Sequence, residues 1–153
     1  MAVLILAGCG GSSEPKARYQ PVVGSGFSFE APAGWRIEHV AGRTSATSDS
    51  QLVQVATFPL AHPYTDALFG AVANELRARI KTVATETGGV LGGTRTVKAG
   101  GIRSHVYDMT VGDHVDEYTF VLRGKREYQL LCRRRSSKSD AFCARLITSF
   151  QPA

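Results

Sequence analysis

The sequence predicts an α+β fold, an antiparallel sheet with a long central helix and a short C-terminal helix packed on it. Three observations predict it. Apolar residues alternate, as strands require, on both sides of one long amphipathic segment at 65 to 87. Glycine-centred links of two residues separate the later apolar runs, and a short amphipathic segment closes the chain near Phe150. Strands, a long helix, more strands and a short helix arrange most simply as helices laid on an antiparallel sheet. A chain of 153 residues, 43% hydrophobic and 20% charged, suits one domain around one core. No apolar run approaches the roughly 20 residues that a membrane-spanning helix needs.

Taken in order, the chain begins with a targeting signal rather than a structural element. The apolar run ends in Leu6-Ala7-Gly8-Cys9 and gives way to Gly10-Gly11-Ser12-Ser13-Glu14-Pro15. This resembles the lipobox of bacterial lipoproteins. The resemblance implies cleavage before Cys9, a diacylglyceryl group on its thiol and acylation of the new amino group. Small residues let an extended backbone enter a peptidase site, and a thiol is a far better nucleophile than a hydroxyl at neutral pH. Two or more acyl chains hold a protein firmly where one binds marginally. Residues 1–8 are therefore read as a signal peptide; with no Lys or Arg before Ala2 to Ala7, this reading expects a true start upstream, whereas a start at Met1 would count against export. Residues 9–26, rich in Gly, Ser and Pro, are read as the lipidated cysteine and a loosely packed tether.

The globular domain is expected over 27–151. Phe27-Ser-Phe29, a turn at Pro32-Ala-Gly34 and Trp35 to Val40 predict two short strands. A third strand, 52 to 58, is expected to stop at Pro59 and Pro63. Leu68, Phe69, Val72, Leu76, Ile80 and Val83 recur at helical spacing, with Thr65 as the expected N-cap and Gly88-Gly89 as the stop. Strands follow at about 94 to 98, 102 to 111, 115 to 122 and 127 to 133. Their links, Gly112-Asp113 and Gly124-Lys125, are of hairpin size. A last helix from about Ser139 to Phe150 ends the domain.

Cys132 shares a strand face with Tyr128 and Leu130, whereas Cys143 lies on the apolar stripe of the last helix. Both point inward, which favours a disulfide in an oxidising compartment, with two separate buried thiols as the other reading. The net charge of +5 is concentrated at the C-terminal end, where Arg133, Arg134 and Arg135 form a patch suited to an anionic partner or to plain solvation.

Phe27-Ser-Phe29-x-x-Pro32-x-Gly34-Trp35, the central helix, the meander and Leu146-Ile-x-Ser149-Phe150 together resemble the PsbP-like α/β/α sandwich. That fold also occurs in Mog proteins and in LpqN-type lipoproteins of high-GC Gram-positive bacteria. The resemblance implies the fold and not an activity, because these families bind different partners.

Motifs for catalysis are lacking. Gly24-Ser25-Gly26 sits in the expected tether, and no metalloprotease, phosphate-loop, dinucleotide or EF-hand pattern is present. His39, His62, His105 and His114 are scattered, and Asp113-His114-Val-Asp116-Glu117 straddles a turn, where such residues are ordinary. The expected protein is thus a membrane-anchored, extracytoplasmic lipoprotein without enzymatic activity, cofactor, metal site or nucleic-acid partner. It binds a protein or an envelope component, or carries a lipid or small ligand between helix and sheet.

Overall fold

The computed structural model describes residues 18–153. The order is β1 (Tyr19–Gly24), β2 (Phe27–Pro32), β3 (Arg36–Val40), β4 (Arg43–Ser48), β5 (Gln51–Tyr64), a 3-10 turn (Asp66–Leu68) and α1 (Phe69–Thr87). There follow β6 (Val90–Ala99), β7 (Ile102–Val111), β8 (His114–Arg135), α2 (Ala141–Ser149) and β9 (Gln151–Pro152). The large sheet has the order β3-β4-β5-β8-β7-β6, and the small one β1-β2-β9, all pairs being antiparallel.

β8 is a ribbon that doubles back on itself. Asp116 and Arg133 are 17 residues apart, which along a straight strand is roughly 55 Å. Arg133 Nε nevertheless donates to Asp116 Oδ1 at 2.7 Å, and the Ser136 N–H donates to the Asp113 carbonyl at 2.8 Å. Gly124, with φ +55°, makes the reversal. One arm then pairs with β7 through residues 114 to 120, and the other with β5 through 124 to 133. The expected hairpin at Gly124-Lys125 is thus present inside one extended segment.

Side-chain alternation on these arms divides the core between the two faces of the large sheet. Val53, Val55, Val106, Val121, Leu130 and Cys132 meet Phe27, Phe29, Cys143, Leu146 and Phe150 on one face. Tyr107, Met109, Tyr118, Phe120 and Leu122 lie on the other, under Leu76, Ile80 and Ala84 of α1. The layers are therefore α1, the large sheet, and a third layer of α2 beside the small sheet.

Four local expectations need correction. The tether was expected to run to residue 26, but Tyr19–Gly24 forms β1, with Val22 buried and six residues in register with β2. The Gly and Ser composition hides it, and Pro21 is tolerated because β1 is an edge strand. β4 had no counterpart in the sequence reading. Its Thr44, Ser45 and Ala46 are buried yet small, so no apolar alternation announces them. β5 passes through Pro59 and Pro63, which fall where its register with β8 shifts. Thr65 makes no side-chain cap bond, and α1 proper starts at Phe69 after the 3-10 turn. Its C-terminal stop is as expected, with Gly88 left-handed at φ 69°.

Candidate functional site

The strongest candidate is an open cleft at the end of the domain where β1 begins, built by two fixed points. The first is the Cys132–Cys143 disulfide, whose Cα atoms are 5.4 Å apart. It ties the start of α2 to the second arm of β8 and leaves Phe142, the preceding residue, to pack edge-to-face on Trp35 at 5.1 Å. The second is the turn after β2. Gln20 Nε2 donates to the Pro32 and Trp35 carbonyls at 3.1 and 3.0 Å, and the Ala33 N–H donates to the Arg18 carbonyl at 3.1 Å. Arg18 and Tyr19 are thereby held beside the indole. The cleft holds about 300 Å³ and is lined by Arg18, Tyr19, Pro32, Trp35, Gln51, Lys138, Ser139, Ala141 and Phe142.

Its rim is basic. Arg134 Nη1 donates to the Lys138 carbonyl at 3.1 Å, and Arg135 Nε donates to Ser50 Oγ at 3.0 Å, so both arginines stand at the cleft end of the domain. Arg145 sits 5.5 Å from the Tyr19 ring centroid while paired with Glu30. Arg133 differs from its neighbours. Nε and Nη2 grip the two oxygens of buried Asp116 at 2.7 and 2.8 Å, and this pairing raises the guanidinium pKa further. Arg133 is thus held by a buried carboxylate, whereas Arg134 and Arg135 bond only a carbonyl and a hydroxyl oxygen. Of the expected patch Arg133, Arg134 and Arg135, the structure engages Arg133 as an ion pair with Asp116, while Arg134 and Arg135 stand near Lys138 and Ser50.

Nothing in the sequence brought the cleft into view. Arg18 and Tyr19 fall within the expected tether, and Trp35 at the start of the second expected strand. The available signal is slight: Tyr19, Val22 and Val23 are strand formers, but Pro21 interrupts them and no two-residue alternation joins them. Cys9 lies outside the described residues.

The four histidines are far apart in role. His39 Nδ1 lies 3.1 Å from Thr44 Oγ1, and His62 is exposed at the irregular end of β5. His105 stacks on Phe69 at 3.8 Å and bonds its carbonyl, with Arg103 also over that ring. His114 borders Asp113 and Asp116, but Asp116 is taken by Arg133, and Glu117 by Arg95 at 2.7 Å. Among the described residues, no three His, Cys, Asp or Glu side chains converge as metal ligands do. Under α1 the side chains of Leu76 and Ile80 are closed over by the sheet. A second open cleft of about 240 Å³ lies at its N-terminal end, lined by residues including Leu60, Tyr64, Val72 and Leu122. No helix among the described residues is long and apolar enough to cross a membrane.

The arrangement of sheets and helices matches known folds. Over 97% of this chain it superposes on 99% of cyanobacterial PsbP (CyanoP) from Synechocystis, solved in solution, with a TM-score of 0.69 and 16% identity. The fold is PsbP-like. A crystal structure from Bacteroides thetaiotaomicron is also similar, with a TM-score of 0.60 and 12% identity over 90% of this chain and 49% of that one. No family model and no curated protein matches the sequence. At these identities the likeness concerns the fold alone.

Proposed function

We propose that this chain is a lipid-anchored, extracytoplasmic accessory domain that engages a protein or envelope component at the membrane and catalyses no reaction. The observation that carries it is the sequence Leu6-Ala7-Gly8-Cys9, placed a few residues ahead of a domain whose first strand begins at Tyr19. A disulfide between Cys132 and Cys143 supports an oxidising compartment, since such bonds are rare in reducing ones. The dispersal of the histidines, and the engagement of Asp116 and Glu117 by arginines, support binding rather than chemistry.

The test compares the full chain with Cys9→Ala in cells, by detergent phase partition and mass spectrometry of the N-terminal peptide. The expected result is an acylated Cys9 peptide and a detergent-phase fraction that the variant loses. An unmodified N-terminus with the same partition in both proteins defeats the reading. The carrier alternative has less support, because the α1-to-sheet interface is packed along its centre.

A further inference from the structure

We propose that the Trp35–Phe142 cleft seats this domain on an anionic phospholipid bilayer, with Arg18 and Lys138 on lipid phosphates and the aromatic rings at headgroup level. This deepens the anchored reading and rests on it for its geometry. Arg18 is nine residues beyond Cys9, so an acylated Cys9 keeps the cleft within about 30 Å of the bilayer. A link this short raises the local concentration of membrane surface to the millimolar range, enough to populate a weak contact.

The chemistry of the lining favours lipid over a smooth protein surface. Trp35, Tyr19 and Phe142 are half-buried and line the cleft. Indole and phenol rings are amphipathic and settle where apolar chains meet wet headgroups. Arg18 and Lys138 line the same cleft, and their long stems let the charged ends reach phosphates while the carbons lie against the rings. Arg134 and Arg135, the last residues of β8, add positive field, against Asp140 further along the chain and Asp49 beside Ser50.

A competitor exists within the molecule. At the opposite end of β1 and β3, exposed Val23, Val40 and Phe58 accompany Lys125 and Arg126. That end is further along the strands from Cys9, and its apolar residues lack an indole or phenol ring.

Trp35 is the chain's single tryptophan, so its emission reports on this cleft alone. The test uses full-length Cys9→Ala protein, which binds without acyl help, with vesicles of phosphatidylcholine alone or with about 30% phosphatidylglycerol. The expected result is a blue shift of Trp35 emission and co-sedimentation with the anionic vesicles only, weakened by salt. Arg18→Ala and Lys138→Ala should each weaken the apparent affinity about fivefold, while Lys125→Ala with Arg126→Ala leaves it unchanged. Circular dichroism and an intact disulfide establish that each variant is folded. An unchanged emission with folded protein overturns the proposal. So does co-sedimentation that survives loss of Arg18 and Lys138 or disappears with Lys125 and Arg126. Failure of the anchored reading is seen separately, as an unacylated Cys9 peptide from cells.

Discussion

Replacing Arg133 by Ala would leave Asp116, 1% exposed, with a buried charge and neither of its guanidinium bonds. An uncompensated buried carboxylate is costly, but Arg133 is itself partly solvated, so the expected loss is about 2 kcal/mol rather than the larger figure for a fully buried pair. Arg134→Ala should change stability by less than about 0.5 kcal/mol. Urea unfolding of the two variants checks this, and equal effects would contradict the division drawn between them. Tyr107 supplies a pH-dependent test. Burial raises its pKa, as it does that of Tyr118, where Asp116 adds to the effect and Arg133 opposes it. The unfolded chain then ionises before the folded one. Stability from these phenols is complete below about pH 10 and is lost as pH rises through the raised values. Tyr107→Phe should cost about 1 kcal/mol at neutral pH, by removing the hydroxyl that donates to the Ala73 carbonyl at 3.1 Å. It should also flatten the alkaline decline in the urea midpoint. At this scale the sequence indicated which residues were charged but not which were paired, because Asp116 and Arg133 meet only through the Gly124 reversal.

Among the elements, α2 depends most on a single covalent bond. The disulfide spans a sequence separation of 11 residues and joins a helix of nine residues to β8. An isolated helix this short is marginal in water, so its position depends on tertiary attachment. Closing a loop of this length is worth about 3 kcal/mol in the chain-entropy account. Cys143→Ser should therefore lower unfolding free energy by about that amount, and should also loosen Phe142 from Trp35, shifting Trp35 emission to the red. A red shift without destabilisation, or the reverse, would separate the bond from the cleft and count against this link. α1 is attached differently, through Leu76 and Ile80 and through Arg79, whose Nη1 donates to buried Glu127 at 2.6 Å. Both helices were legible in the sequence because their apolar stripes recur every three or four residues. β4 was not, since its inward residues Thr44 and Ala46, paired with Val55 and Val53, are too small or polar to show an apolar alternation. β8 was read as two strands, and physically it is two arms, because a glycine at positive φ is visible in sequence as a turn signal.

At the scale of the molecule, the large sheet is closed on one side by α1 and on the other by α2 together with β1, β2 and β9. The third layer is therefore partly built from residues that the sequence assigned to a tether. Low hydrophobicity and a Gly-Ser-Gly turn made 18–26 resemble linker, whereas only the partner strand β2 gives Val22 somewhere to be buried. The boundary has a consequence for any shortened form of the protein. A chain beginning at Arg18 retains β1, the Gln20 bonds to Pro32 and Trp35 and the Ala33 bond to Arg18. One beginning at Phe27 loses all of these and uncovers an edge of β2, which then presents unpaired backbone groups to solvent and to other chains. Burial of Val22 and the net value of several strand bonds together suggest a loss of about 4 kcal/mol. The 18–153 chain should unfold cooperatively with the same urea midpoint as the full sequence. The 27–153 chain should unfold at a clearly lower midpoint and associate as its concentration is raised. Equal midpoints for the two would return residues 18–26 to the tether and remove Arg18 and Tyr19 from the cleft, whereas the expected gap makes the first strand part of both the fold and the surface that it positions.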